Sequence, residues 1–345
     1  MARLKIAVVG AGANGGALAA SLTAAGEDVI CFDPWVDHVA YVRHNGLRVE
    51  STEGRTVTPL DIRHVCQVAE PHPLFDLLII GVKAYDTRWV CELMRLHLAD
   101  DGTVVAIQNG ITLETVADVF GDDRSVGAVI EVAANLMVPG HIVQEAPIWL
   151  AVGGETPASQ RRAEAVAPVL RTGATVEVVD DIRSAKWMKL VANACELVPS
   201  AILDLPLADA IRQPGMYDFM LEAGQEALDT ALARGQQIVP IFGLDVDPAV
   251  LTRDRYVRHL LDAVLDGYTS PTTLTTVLQD WRKGRRAEIE DLNGLVVSAA
   301  EGLVATPANE RILRLALNIE AGVAQSGVAN MAALAGHERD VQYAG

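Results

Sequence analysis

The feature that most constrains this chain lies at its N-terminus. The apolar run Ile6 to Val9 leads directly into Gly10-Ala11-Gly12-Ala13-Asn14-Gly15 and then into an alanine-rich stretch reaching about Ala25. A short β-branched run, a glycine cluster and a stretch of helix formers predict strand, tight turn and helix in that order. In that setting the GxGxxG spacing has a mechanical reading: Gly10 makes the turn, Gly12 lets the backbone approach a pyrophosphate, and Gly15 lets helix and strand pack closely. The first N–H groups of the helix then face the anion. Gly10, Gly12, Ala13, Asn14 and Gly15 are therefore the expected cofactor-binding residues. A second strand, Asp28 to Phe32, ends at Asp33, ~20 residues past the glycines, where a carboxylate accepts hydrogen bonds from an adenosine ribose and repels a 2′-phosphate. The pattern predicts a nicotinamide dinucleotide, NAD(P), with NAD favoured over NADP. The alternative role for Asp33 is that of a turn residue ahead of Pro34.

Arg3, Lys5 and the apolar run that follows also outline a secretory signal. The glycines and Asn14 interrupt the supposed apolar middle at a spacing that the strand-turn-helix unit explains better. Further on, Phe75 to Val82 reads as a buried parallel strand, Tyr85 to Leu98 as a helix and Thr103 to Gln108 as a strand. This βαβα order predicts a doubly wound α/β sheet. Leu47 to Val57, with Glu53-Gly54 inside it, reads as a hairpin; Ser125 to Val152 reads as strands broken at Pro139-Gly140, and Thr175 to Val179 as a last strand.

From Asp181 apolar residues recur at helical spacing, through Asp181 to Ile202, Met216 to Arg234, Pro248 to Leu265, Thr275 to Val304 and Pro307 to Ala324. The expected organisation is a dinucleotide-binding domain over residues 1–180 and a helical substrate and dimerisation domain over 181–345, with Ser326 to Gly345 as a weakly structured tail or partner-binding extension. Composition narrows the partners. With 45 acidic against 28 basic residues the formal charge is −17, which repels phosphate backbones and anionic lipid. Apolar runs such as Leu77 to Val82 fall short of the ~20 residues needed to span a bilayer. Cys31, Cys66, Cys91 and Cys195 lack disulfide or zinc-ligand spacing. Nucleic acid, membrane and metal are excluded as expected partners, and the cytoplasm is the expected location. His337-Glu338 lacks a second histidine at helical spacing, and Arg282-Lys283-Gly284-Arg285-Arg286 reads as a solvated helix face.

Short motifs carry the remaining chemistry. Gly81-Val82-Lys83-Ala84 and Gln108-Asn109-Gly110 each follow an expected strand. Lys186-Trp187-Met188-Lys189-Leu190-Val191-Ala192-Asn193 opens the helical half, and Ala287-Glu288-Ile289-Glu290-Asp291-Leu292-Asn293-Gly294 lies on its expected long helix, preceded by Leu278-Gln279-Asp280 and followed by Thr306-Pro307-Ala308-Asn309. In this order the motifs resemble the ketopantoate reductase (2-dehydropantoate 2-reductase) family over nearly the whole chain. The resemblance implies a Rossmann domain followed by an all-helical domain of the 6-phosphogluconate dehydrogenase C-terminal type, reducing a 2-oxo acid with a nicotinamide cofactor. By position it implies that Lys189 is the catalytic lysine, Glu288 the carboxylate that contacts substrate and supports catalysis, and Asn193 a substrate-binding asparagine. It also implies that Lys83 and Asn109 line the cofactor and substrate cleft.

Elementary chemistry agrees with these roles. Hydride arrival puts negative charge on the carbonyl oxygen, which a positioned ammonium stabilises and protonates. Lys189 and Asn193 share a helix face at i, i+4, and an amide set among Leu190, Val191 and Ala194 needs partners. Glu288 can equally serve in an ion pair with Arg285 or Arg286. Three positions depart from the family pattern: Leu197 stands where the family has a second substrate asparagine, Thr276 where it has a serine near the substrate carboxylate, and Asp33 where NADP-using members have a basic residue. The expected function is interconversion of a 2-oxo and a 2-hydroxy acid, with a different hydroxy acid or an opine-like compound as alternative substrate. A non-catalytic dinucleotide-binding redox sensor is the alternative class. A homodimer is the expected assembly.

Overall fold

The computed structural model describes residues 3–244 and 246–336. Its contacts divide the chain into two compact units, one reaching Lys189 and taking back residues 239–244, the other formed by Leu190–Ile238 and the residues after 245. The division falls inside one helix, whereas the change of sequence texture near Asp180 marks only where that helix begins.

The first unit contains, in chain order, β1 (Lys5–Val9), α1 (Ala13–Ala24), β2 (Asp28–Asp33), α2 (Val36–Asn45), β3 (Leu47–Ser51), β4 (Gly54–Thr58), β5 (Asp61–His64), β6 (Phe75–Ile80), α3 (Thr87–Met94), β7 (Leu98–Ala106), α4 (Leu113–Phe120), β8 (Ser125–Glu131), β9 (Ala134–Val138), β10 (His141–Gln144), β11 (Trp149–Gly153), α5 (Pro157–Leu170) and β12 (Thr175–Val178). Eight strands form one sheet in the order β12-β11-β8-β7-β6-β1-β2-β5, parallel except where β11 meets β8. The order reverses between β1 and β6, so a crevice opens at their carboxyl ends, the usual place for a dinucleotide.

Alternation along β1 explains the double winding. Ile6 and Val8 join the core under α1 and α5, while Ala7 and Val9 join a second core with Val90, Cys91 and Met94 of α3 and Val116 and Phe120 of α4. Both faces are therefore dry, which is why these strands read as continuous apolar runs. The expected hairpin is present as the antiparallel pair β3 and β4, with Ser51 opposite Gly54. β10 then pairs in parallel with β3 and antiparallel with β9, giving a separate four-stranded sheet β4-β3-β10-β9. Leu47, Val49 and Ile142 of this sheet share the core of α1. The expected helix Tyr85 to Leu98 is shorter, because short 3₁₀ turns flank α3 on both sides and β7 already begins at Leu98.

α6 (Ile182–Ile202) starts in the first unit and continues into the second, where α7 (Leu207–Ala210), α8 (Met216–Ala233), α9 (Tyr256–Gly267), α10 (Thr276–Arg282), α11 (Asn293–Ala300), α12 (Pro307–Glu320) and α13 (Met331–Leu334) follow. Two expected helices are corrected. Pro248 to Leu265 begins as a 3₁₀ turn at Pro248–Val250, and its helix starts only at Tyr256. Thr275 to Val304 is not one long helix. Gly284 turns left-handed at φ +66°, the Arg285 N–H closes back on the Asp280 carbonyl at 2.8 Å, and the Ala287 N–H donates to Glu320 at 2.7 Å. Such a C-terminal stop satisfies the last carbonyls of α10, and Glu288 consequently sits on a turn.

The segment from Ser326 is also more ordered than expected up to residue 336. The Gly327 N–H and the Asn330 side chain both donate to the Ile202 carbonyl, at 2.8 and 3.1 Å, and Leu334 is fully buried. His337 and Glu338 lie outside the described residues. No helix among the described residues is long and apolar enough to cross a membrane.

Candidate active site

The glycine loop assigns each glycine a different task by sterics. Gly10 has φ +96°, and a Cβ there would lie 2.5 Å from the Val82 nitrogen, so the ends of β1 and β6 meet backbone to backbone. A Cβ on Gly15 would lie 2.0 Å from the Gly10 carbonyl oxygen, which fixes the approach of α1 to the turn. A Cβ on Gly12 meets nothing within 4 Å. Gly12 is thus small for the sake of space outside the backbone, as close approach of a pyrophosphate requires. It is also the N-cap of α1, with no side-chain cap and no acidic residue in the first turn. The helix N-terminus keeps its donors and positive dipole end for an anion. This cradle fits a dinucleotide.

Asp33 ends β2 and is buried, and one carboxylate oxygen accepts the Trp35 N–H at 2.8 Å. The carboxylate therefore does shape the turn at Pro34. Lys83 and Asn109 follow β6 and β7 at the same carboxyl edge as the glycine loop. The Asn109 loop is braced by Gln108, whose amide donates to Thr87 at 2.8 Å and accepts from Thr112 at 3.3 Å.

Two lysines of α6 meet this edge. Lys186 is buried and donates to the carbonyls of Gln108 and Ala128, at 3.1 and 3.2 Å, tying the ends of β7 and β8 together. Burial pushes its ammonium down to about 8, with Glu155 acting weakly in the opposite direction. Lys189, one turn on, forms an ion pair with Glu131, the last residue of β8, and lies 5.0 Å from the ring centroid of Phe242. Residues 239–244 belong to this unit, and Phe242 is held edge-on against Trp149 at 6.1 Å.

In the second unit, Asn193 and Leu197 are buried one turn apart on α6, and the Thr275 hydroxyl donates to the Leu197 carbonyl at 3.1 Å. That contact brings the start of α10 to Leu197. Thr276 follows, its buried hydroxyl oxygen having no hydrogen-bond partner among the described residues. A buried orphan oxygen of this kind is costly unless something pairs with it. Glu288 is buried on the turn after α10, and Arg286 pairs with Glu290 at 2.5 Å. Asp291 on the same turn is raised to about 6, chiefly by burial and then by the neighbouring charge of Glu288.

The family model described as ketopantoate reductase PanE/ApbA matches residues 6–155, and that of its C-terminal part matches 181–320. The chain belongs to the ketopantoate reductase family. It is accordingly an NAD(P)-dependent oxidoreductase acting on a CH–OH group. A curated 2-dehydropantoate 2-reductase of Archaeoglobus fulgidus is 28% identical over 321 residues, covering 92% of this chain and 99% of the relative. The solved PanE/ApbA family ketopantoate reductase of Ralstonia eutropha is 26% identical, with TM-score 0.77 over 92% of this chain and 99% of that one. D-mandelate dehydrogenase, solved with NADH and anilino(oxo)acetate, shares the fold at TM-score 0.81 and 21% identity, over 93% of this chain and 99% of its own.

One motif of the ketopantoate reductase pattern has a structural task in this member. The backbone N–H groups of Ala308 and Asn309, at the start of α12, donate to the buried Glu226 carboxylate at 2.8 and 2.9 Å, and Asn309 also holds Asn293 at 2.8 Å. Thr306-Pro307-Ala308-Asn309 thus docks the start of α12, where Glu226 takes the N–H groups that a capping side chain would. Sequence reasoning missed Glu131 and Phe242. An acid at the carboxyl end of a parallel strand was a usable signal for Glu131; nothing local marked Phe242.

Proposed function

We propose that this protein reduces a 2-oxo acid to the 2-hydroxy acid, or runs the reverse reaction, with Lys189 as its proton donor and charge-stabilising group. The observation that supports this reading best is Lys189 itself, an ammonium at the carboxyl edge of a sheet whose glycine loop fits a dinucleotide. The nicotinamide, when bound, supplies or accepts the hydride. Lys189 stabilises the growing negative charge on the substrate oxygen and delivers the proton to it. Asn193 and Thr276 are proposed to hold the substrate, Thr276 through its orphan hydroxyl oxygen, and Glu288 to contact it as a carboxylate. Lys83 and Asn109 are proposed to line the cofactor side.

We further propose NAD(H) as the preferred cofactor, on the strength of the buried Asp33 carboxylate at the end of β2, and a homodimer as the working assembly. For substrate, the relatives' ketopantoate is the first acid to test. Leu197 argues for an acid with an apolar group in place of the ketopantoate hydroxyl, because a buried hydroxyl against leucine loses its water without replacement. The deciding experiment assays a panel of 2-oxo and 2-hydroxy acids with NAD(H) and NADP(H), in the wild type and in Lys189→Ala. Lys189→Ala should cut kcat by about 10²- to 10⁴-fold while cofactor affinity is kept. Activity within about threefold of the wild type would remove Lys189 from this role. NADPH preference would remove the role given to Asp33, and sedimentation as a monomer would remove the dimer.

A further inference from the structure

We propose that Glu131 is the positioning residue for Lys189, a task distinct from the substrate contact that the resemblance implies for Glu288. This inference rests on Lys189 being the proton donor. Three observations within the first unit carry it. The two side chains form an ion pair and are both nearly buried, each 11% exposed. Glu131 stands at the rigid end of β8, paired in register with Trp149 of β11. Trp149 in turn packs on Phe242, whose ring covers Lys189. The ammonium is therefore held between a carboxylate and an aromatic face that are built on adjacent strands and on one returning segment.

The backbone at Phe242 adds independent weight. Its φ is +69°, a left-handed conformation that a bulky residue adopts only when its surroundings impose it. Gly243 beside it is also left-handed, and a Cβ there would meet the Trp149 indole nitrogen at 2.9 Å. The chain accepts this turn where it delivers the Phe242 ring to Trp149 and Lys189. An ammonium has three N–H donors. Glu131 takes one and the ring lies against the group, so its direction is set before substrate arrives. During reduction the Nζ–H bond breaks, the proton passes to the substrate oxygen as hydride reaches the carbon, and the amine regains a proton from solvent. Glu131, fixed at the end of β8, holds the nitrogen at its station.

The test compares Glu131→Gln, Glu131→Asp, Lys189→Met and the double variant Glu131→Gln/Lys189→Met, by steady-state kinetics with the best 2-oxo acid and by direct titration of dinucleotide binding. Glu131→Gln should lower kcat by roughly 10- to 100-fold, the scale on which loss of an orienting partner acts, with dinucleotide affinity held within about twofold. Glu131→Asp should recover part of the loss. The double variant should be no slower than Lys189→Met, since a residue acting through another has no effect once that other is gone. A Glu131→Gln kcat within about twofold of the wild type overturns the proposal, and so does a double variant slower than Lys189→Met by the full Glu131→Gln factor. If Glu131→Gln alone fails to fold, Glu131→Asp, which keeps the charge but withdraws it by one methylene, takes its place: a kcat within about twofold of the wild type overturns the proposal. Wild-type protein without turnover on any 2-oxo acid would instead overturn the functional reading, and the proposal with it. Normal wild-type turnover with a silent Glu131 sinks the proposal alone.

Discussion

The carboxyl edge of the large sheet and the turn from Lys283 to Leu292 are built on opposite principles. At the sheet edge, position is enforced by backbone meeting backbone: a Cβ on Gly10 or Gly15 has no room, and even the buried Lys186 is fixed by two main-chain carbonyls. At the turn, position depends on long side chains and on carboxylates close to one another. Glu320 holds the Ala287 N–H, and Asp291 is pushed up by Glu288. Hard contacts give a rigid glycine loop that has no room for a side chain at Gly10 or Gly15. Buried charge adds a pH dependence to stability, of opposite sign at Asp291 of the turn and at Lys186 of the edge.

The largest effect expected from breaking this contrast is at the glycines. Gly15→Val places side-chain atoms against the Gly10 carbonyl and should cost more than about 4 kcal/mol, enough to prevent folding. Gly12→Val points into open space, so the protein should fold with a Tm close to that of the wild type. It should nonetheless lose dinucleotide affinity by about 100-fold or more, because the valine occupies the room kept for the pyrophosphate. Calorimetric titration alongside thermal melts separates the two outcomes. A Gly12→Val protein that binds normally would refute the cradle.

The same contrast explains what could be read from the chain. Strand, turn and helix around Gly10 to Gly15 are all local, and the strict spacing carries its own steric reason, so this part was legible residue by residue. That Lys189 and Asn193 share one helix was legible too, because their spacing is local. The break at Gly284 was hidden: the apolar period continues on both sides, no proline marks it, and the partner that holds Ala287 is Glu320 on another helix. The Lys189 and Glu131 pair joins positions separated by 58 residues, beyond any periodic pattern. Residues 239–244 joined the first unit for a similar reason, since Ile241 and Phe242 are simply two apolar residues until Trp149 is placed beside them.

An intermediate effect is expected at Lys186. Burial lowers this lysine from the ordinary 10.5 to about 8, so between those values the unfolded chain binds more protons than the folded one and stability rises with pH. The gain across the window is on the order of 3 kcal/mol. Lys186→Met removes the titrating group while keeping most of the volume, and should flatten this rise. It also leaves the carbonyls of Gln108 and Ala128 without their donor, so the variant should be more stable than the wild type at neither end by much. Urea unfolding at pH 7.5 and pH 10.5 measures the difference in slope, and a wild-type slope unchanged in Lys186→Met would assign the pH response to other groups.

The smallest effect, and the one of opposite sign, is expected at Asp291. Burial and the charge of Glu288 raise its carboxyl from the ordinary 3.8 to about 6. The folded state therefore holds the proton longer than the unfolded state, and stability falls as pH rises through that window. Below 3.8 the group is neutral in both states and contributes no penalty; above about 6 the penalty is complete. Asp291 is only partly buried, so water screens much of the shift and the cost at pH 8 is about 1 kcal/mol. Asp291→Asn keeps the shape and removes the charge. It should raise Tm at pH 8 by about 1 to 2 °C and leave it unchanged below pH 4. Hydrogen exchange at α11 should slow in the variant under the same alkaline conditions, because Asp291 lies two residues ahead of that helix. If Asp291→Asn instead lowers Tm equally at both pH values, the carboxylate is acting as a structural hydrogen-bond acceptor. The turn is then held by contacts, as the sheet edge is, and the proposed difference between the two regions disappears.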